Sequence, residues 1–135
     1  MFDTTFVSEL RRPRPHGAVH AWLNSVDDAS LHLAAVTLAE IQAGIEIKRE
    51  QDPVRAMEIE SWLDLVSSTH QILAMDGPAF RCWVRLMHRQ SNTLYEDAMI
   101  AAIARGHDFT VVTRNTADFR SFGVKLLDPF SVGSL

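Results

Sequence analysis

The chain has 135 residues, of which 47% are hydrophobic and 22% are charged, a balance typical of a globular protein rather than a disordered one. Its 13 basic and 17 acidic side chains give a formal net charge of −4, which argues against binding nucleic acid through overall positive charge. The single cysteine, Cys82, excludes an internal disulfide, and no apolar run approaches the roughly 20 residues of a membrane helix. We therefore expect a cytoplasmic protein that does not attach to a membrane.

The first half of the chain alternates between helical and strand patterns. After Pro15, apolar residues recur at the i, i+3, i+4 and i+7 positions of an amphipathic helix. The apolar run at residues 31–36 predicts a buried strand. Helices are predicted to follow it over residues 37–49 and 53–68.

The second half continues this alternation. Asp76 is expected to cap a helix that has Pro78 in its first turn, where the missing N–H has little effect. A helix that begins near Tyr95 is expected to end at Gly106, a residue suited to a left-handed C-terminal cap. Strands are predicted at residues 72–75, 109–113 and 124–127.

Strands that are separated by helices predict an α/β fold with three layers, in which a central and mostly parallel sheet is flanked by helices. The sequence has no internal repeat, no low-complexity segment and no long linker. We therefore expect residues 1–135 to form a single domain.

Four carboxylates follow the predicted strands or lie in the first turns of the next helices. They are Asp3, Glu40, Asp97 and Asp118. In an open parallel sheet, loops and helix N-termini converge beyond the carboxyl ends of the strands, so we expect these side chains at one edge. Carboxylate oxygens are the ligands that Mg²⁺ and Mn²⁺ prefer, and such an ion can activate water and neutralise charge on a phosphate.

Each carboxylate also has a purely structural interpretation. Glu40 could close a capping box with Thr37, although the small residue Gly44 on the same helical stripe would leave space beside a ligand. Asp97 could interact with the helix dipole, and Glu96 would serve equally well. Helical periodicity does not separate these two neighbours, and Asp3 and Asp118 could be a surface residue and a turn cap.

Other chemical motifs are weaker. His16 and His20 lie four residues apart, as zinc ligands on a helix do, but no third ligand accompanies them. Basic residues near the N-terminus and after the 109–113 strand are candidate RNA contacts, and surface solubility explains them equally well. These candidates are Arg11, Arg12, Arg14 and Arg114.

Four segments, taken in order, resemble the motifs of the PIN-domain family, most closely those of its VapC/FitB-like toxins. They are residues 3–11 (DTTFVSELR), 36–40 (VTLAE), 97–102 (DAMIAA) and 112–119 (VTRNTADF). The closing residues 123–129 also resemble the family's C-terminal strand. The resemblance spans nearly the whole chain and implies a three-layer PIN-like domain.

The resemblance also implies a function. It makes Asp3, Glu40, Asp97 and Asp118 the metal-site carboxylates of an Mg²⁺- or Mn²⁺-dependent endoribonuclease. It makes Thr113 and Asn115 supporting polar groups that orient water or the substrate phosphate. The implied partners are RNA, a small VapB/FitA-like antitoxin that covers the acidic groove, and a second copy of the chain in a homodimer. DNA would be bound only through the antitoxin complex.

One departure from the family pattern motivates an alternative. Only two residues precede Asp3, where the family usually has a fuller hydrophobic strand. A central strand that short is expected to hold Asp3 loosely. The alternative function is therefore a catalytically weak interaction module, which keeps the PIN fold mainly to bind an antitoxin or regulator.

Overall fold

A computed structural model of the chain describes residues 1–4, 7–8, 17 and 31–132. Of the helix predicted after Pro15, only residue 17 lies within these ranges. The candidate residues Arg11, Arg12, Arg14, His16 and His20 lie outside the described residues. Among the described residues, no helix is both long enough and apolar enough to cross a membrane.

The described elements alternate between strands and helices, as predicted. In chain order they are β1 (His32–Ala34), α1 (Ala35–Gln51), α2 (Pro53–Thr69), β2 (Gln71–Leu73), α3 (Gly77–Met87), α4 (Tyr95–His107), β3 (Val111–Val112), α5 (Thr116–Phe119), β4 (Leu126–Leu127) and α6 (Pro129–Val132). Two turns of 3₁₀-helix, Asn92–Leu94 and Arg120–Phe122, precede α4 and follow α5.

The strands form parallel pairs that meet at the N-terminal segment. β1 pairs with β2 and β3 pairs with β4, both in parallel. Phe2 joins the two pairs because it forms parallel bridges with Leu33 on one side and Val112 on the other. The order across the sheet is therefore β2, β1, Phe2, β3, β4, and the predicted parallel α/β fold is confirmed.

The N-terminal segment is fixed on both sides by backbone hydrogen bonds. The Phe2 N–H donates to the His32 carbonyl at 3.1 Å, and the Val112 N–H donates to the Met1 carbonyl at 2.7 Å. The Asp3 N–H donates in turn to the Val112 carbonyl at 3.1 Å. The expectation that so short a strand holds Asp3 loosely is wrong, because the strands on either side pair with this segment.

Side chains that alternate along the strands divide the core between the two faces of the sheet. Met1, Ala34 and Val111 face the first cluster, which contains the buried side of α4. Phe2, Leu33 and Val112 face the second cluster, where Trp62 of α2 and Ile41 of α1 pack against them. Helices therefore cover both faces of the sheet, which gives the predicted three layers.

Helix α4 is the most deeply buried of the described helices. Its residues Ala98 and 100–104 are all buried, so apolar side chains surround nearly its whole circumference. A helix that is apolar on all sides belongs in the interior of a fold. It packs against α3, and its N-terminal turn, which carries Asp97, emerges at the carboxyl edge of the sheet.

Two predicted helix ends are wrong and one is confirmed. Helix α1 begins two residues earlier than expected, and Ala34 precedes it without a side-chain cap, so Thr37 closes no capping box. Helix α4 continues through Gly106, and Asp108 adopts the left-handed conformation at φ 55°, which a short polar side chain tolerates. Asp76 caps α3 as predicted, since its carboxylate accepts a hydrogen bond from the Ala79 N–H at 2.9 Å.

Candidate active site

The four predicted carboxylates meet at the carboxyl edge of the sheet. Asp3 follows Phe2 directly, and Asp118 lies in α5 after β3. Glu40 lies in the second turn of α1 rather than the first, because that helix starts at residue 35. Asp97 lies in the first turn of α4, as predicted. We call these four residues the acidic cluster.

The electrostatics of Asp97 show how closely the acidic cluster is gathered. Desolvation by burial, followed by the negative charge of Asp118, raises the pKa of Asp97 from 3.8 to about 6. The charges of Asp3, Glu40 and Glu96 raise the pKa of Asp97 further in the same direction. The other three members of the cluster thus all lie near enough to disfavour ionisation of Asp97.

Both the backbone and the side chain of Asp3 bond to residues at the end of β3. It is buried, with 2% of its surface exposed, and its carboxylate Oδ2 accepts a hydrogen bond from Thr113 Oγ1 at 2.6 Å. Thr113 is fully buried, and its oxygen accepts a hydrogen bond from the Asn115 N–H at 2.9 Å. Thr113 therefore contacts the acidic cluster directly, whereas Asn115 contacts Thr113 through its backbone.

Glu40 is held by a residue that the sequence did not single out. Thr4 Oγ1 donates a hydrogen bond to Glu40 Oε1 at 2.6 Å. Desolvation raises the pKa of Glu40, the Thr4 hydrogen bond lowers it, and the charges of Glu96 and Asp3 raise it again, with a net increase. Thr4 adjoins Asp3 in the first motif, but nothing in the sequence pairs it with a residue 36 positions away.

The structure separates Asp97 from Glu96, which helical periodicity could not do. Asp97 is half-buried among the other carboxylates, whereas Glu96 is exposed. Asp118 is also exposed, and its N–H donates to the Asn115 carbonyl at 3.1 Å, within the short turn of α5. Of the two neighbours Asp97 and Glu96, Asp97 is therefore the more buried, and Glu96 lies at the rim of the acidic cluster.

The donor chemistry of the acidic cluster suits a hard divalent cation. Within the described part of the chain, no three His, Cys, Asp or Glu side chains form a ready-made coordination group. Mg²⁺ retains several waters and needs only one or two carboxylates from the protein, so a preformed cage is not required. Burial and then the neighbouring negative charges disfavour the ionised form of Asp97, and a cation bound beside it would favour that form.

A groove of about 470 Å³ opens beside Glu40 between α1 and α2. An added Cβ at Gly44 would meet no atom within 4 Å, so the predicted space beside the Glu40 carboxylate is present. The side chains of Ile45 and Trp62 line the groove, together with Lys48. The groove thus extends from Glu40 of the acidic cluster, past apolar side chains, to the basic side chains of Lys48 and Arg55.

Arg114 is the one predicted RNA contact that lies among the described residues. It is exposed and follows the buried Thr113. Its guanidinium carbon lies 4.4 Å from the centre of the Phe130 ring, a distance typical of a cation–π contact. The Arg114 side chain therefore lies over Phe130, while its backbone directly follows Thr113, which bonds to Asp3.

Comparison with known proteins agrees with this architecture. The PIN domain profile matches residues 1–125 of the chain. The VapC ribonuclease Y4jK of Sinorhizobium fredii is 32% identical, over 96% of this chain and 96% of that protein. Toxin FitB of Neisseria gonorrhoeae is 29% identical, over 96% of this chain and 97% of that protein. The crystal structure of FitAcB from Neisseria gonorrhoeae has a TM-score of 0.76 at 27% identity, and the match covers 97% of this chain and 98% of that one. The chain belongs to the PIN-domain family.

Proposed function

We propose that the chain is a divalent-metal-dependent endoribonuclease and the toxin of a toxin–antitoxin pair. The observation that carries this proposal is the acidic cluster, in which burial and then the charges of the other three members raise the pKa of Asp97 to about 6. A ribonuclease and a toxin of similar length are among its relatives, which favours cleavage of RNA over other phosphodiester chemistry. We further propose that residues 1–135 act as one PIN-like domain in the cytoplasm, where RNA is available.

The carboxylates that would hold Mg²⁺ or Mn²⁺ are those of Asp3, Glu40, Asp97 and Asp118. A cation bound there would supply positive charge to the scissile phosphate and lower the pKa of water. Thr113 keeps the Asp3 carboxylate in one orientation through its 2.6 Å hydrogen bond. Asp97 must be ionised to act as a ligand, and a pKa of about 6 leaves its carboxyl mainly ionised near neutral pH.

Substrate binding is assigned to groups that surround the acidic cluster. Arg114 would contact an RNA phosphate, since the residue is exposed and directly follows the buried Thr113. Asn115 would orient the substrate phosphate or water from the same turn. Arg11 and Arg12 remain candidate phosphate contacts on the basis of the sequence alone.

The proposed partner is a small VapB/FitA-like antitoxin. Four carboxylates and the neighbouring Glu96 form a surface that attracts a cationic side chain, so an antitoxin arginine inserted among them would displace the divalent cation. We propose a homodimeric toxin whose contact with DNA comes only through the antitoxin. The relative named Toxin FitB supports the assignment of this chain as a toxin.

RNA cleavage tests the proposal directly. Purified chain, freed of any antitoxin, is incubated with total RNA with and without Mg²⁺ or Mn²⁺, beside the variants Asp97→Asn and Glu96→Gln. We expect cleavage that requires the metal, is lost in Asp97→Asn and persists in Glu96→Gln. Cleavage that survives Asp97→Asn, or no cleavage by folded and metal-saturated native protein, contradicts the proposal.

The interaction-module alternative loses the observation that motivated it. That alternative rested on a loosely held Asp3, whereas Phe2 and Asp3 are both buried and are bonded to the adjacent strands. The proposed nuclease therefore remains the function that the geometry favours.

A further inference from the structure

We propose that Thr4 is a positioning residue, which holds the Glu40 carboxylate in the orientation that a divalent cation requires. This inference rests on the proposed function, because it assigns Glu40 to the same cation site. It starts from the 2.6 Å hydrogen bond from Thr4 Oγ1 to Glu40 Oε1, which joins the N-terminal segment to helix α1.

The direction of this hydrogen bond follows from the available protons. The Thr4 oxygen lies 2.6 Å from Glu40 and 3.3 Å from the hydroxyl oxygen of Thr37. A hydroxyl has one proton, and the shorter contact with a carboxylate is the stronger of the two. Thr4 therefore donates to Glu40, and its oxygen also contacts the hydroxyl of the fully buried Thr37.

Little else fixes the Glu40 side chain. In the part of the chain that the structure describes, Thr4 is the only residue whose side chain hydrogen-bonds to it. The space beside Gly44 on the same helical stripe is open, so Glu40 has room to turn into the groove. The neighbouring charges of Glu96 and Asp3 would favour such a turn, because they repel its carboxylate.

Glu40 and Asp3 are supported in the same way. Each carboxylate accepts a hydrogen bond of 2.6 Å from the hydroxyl of a threonine on another segment, Thr4 for Glu40 and Thr113 for Asp3. Groups that orient metal ligands from outside the coordination sphere commonly change metal affinity by 10–100-fold when removed. Thr4 is placed to act on Glu40 in this manner, and its own backbone continues directly from Asp3.

The test is the affinity for Mn²⁺ itself, measured by calorimetry on the full chain without RNA. We expect Thr4→Val to weaken Mn²⁺ binding about tenfold or more, and Thr4→Ser to retain affinity within about threefold, since serine keeps the hydroxyl. Thr69→Val provides a matched control, because Thr69 is exposed and bonds only to carbonyls of its own helix and to the adjacent His70. An unfolding curve for each variant confirms that it is folded.

A double-mutant comparison shows whether Thr4 acts through Glu40. In the Glu40→Gln background, Thr4→Val should have no further effect on Mn²⁺ affinity. Native affinity in Thr4→Val, an equal loss in Thr69→Val, an undiminished loss in the Glu40→Gln background, or no Mn²⁺ binding by the native chain overturns the inference. A chain that binds Mn²⁺ with this dependence on Thr4 but cleaves no RNA refutes the proposed nuclease and retains the inference.

Discussion

Replacing Asp97 by Asn should stabilise the metal-free protein near neutral pH, although it removes a proposed metal ligand. Burial and the charge of Asp118 raise the pKa of Asp97 from 3.8 to about 6. The folded chain therefore binds a proton at Asp97 more tightly than the unfolded chain does. The stability that this residue contributes is fully present below pH 3.8 and is lost as the pH rises through about 6.

The size of the effect follows from the shift. The pKa of Asp97 differs by about two units between the unfolded and the folded chain, which corresponds to about 3 kcal/mol at roughly 1.4 kcal/mol per unit. Asp97 is only half-buried, so solvent screening reduces this to about 1–2 kcal/mol. The loss of a favourable interaction with the N-terminus of α4, roughly 0.3–1 kcal/mol, acts in the opposite direction. We expect a net increase of about 1 kcal/mol in the free energy of unfolding of Asp97→Asn.

Urea unfolding in the presence of EDTA measures this difference, and Glu96→Gln is the matched control. Glu96 is the adjacent carboxylate and is exposed, so its replacement should change stability by less than about 0.5 kcal/mol. Saturating Mg²⁺ should reverse the order, since ligand binding stabilises the native chain and acts little on Asp97→Asn. If Asp97→Asn is less stable than native protein in EDTA near neutral pH, the carboxylate is not under the electrostatic stress described above.

Three further changes test other parts of the structure. Thr113→Val should lower the free energy of unfolding by about 1–3 kcal/mol, because it removes the hydrogen bond that Thr113 donates to the buried Asp3 carboxylate, and Thr113→Ser should restore most of the loss in urea unfolding. Phe2→Ala should cost about 3–5 kcal/mol by opening a cavity at the centre of the sheet, and an unchanged urea midpoint would contradict the central placement of Phe2. Arg114→Ala should raise KM for RNA and weaken the dependence of KM on salt, with little change in kcat. Phe130→Leu, which removes only the ring beneath the guanidinium, should raise KM less. An unchanged KM in Arg114→Ala would show that this residue does not contact the substrate.

Much of the fold could be predicted because it depends on local patterns. Apolar runs, helical stripes and caps located helices α1 to α4, and the alternation of strands with helices predicted the parallel sheet. Periodicity cannot place the short first strand at the centre of the sheet, since two residues have none, and its central position was expected from the family resemblance alone. Phe2 occupies that position because Leu33 and Val112, distant along the chain, both pair with it.

Some features of the candidate site could likewise be predicted from local position in the sequence, and others depend on contacts between distant residues. The positions of Asp3, Asp97 and Asp118 after strands or in first turns were enough to predict that they meet at one edge. Helical periodicity could not rank Asp97 above Glu96, which only the family resemblance favoured, because desolvation depends on what packs over a side chain rather than on its place in the helix. The role of Thr4 was also hidden, since its partner Glu40 becomes a neighbour only when the N-terminal segment enters the sheet.

The short N-terminal segment explains how a fixed site can follow a strand of two residues. A strand at the centre of a sheet is bonded on both edges, so its stability comes from its neighbours rather than from its own length. The Asp3 N–H continues this pairing to Val112, and the hydroxyl of Thr113 then fixes the Asp3 carboxylate. Thr4 extends the same segment to Glu40 on α1. Thr113 and Thr4, which adjoin the paired strands, thus orient the carboxylates of Asp3 and Glu40. A first strand of two residues is therefore enough to fix these two members of the acidic cluster.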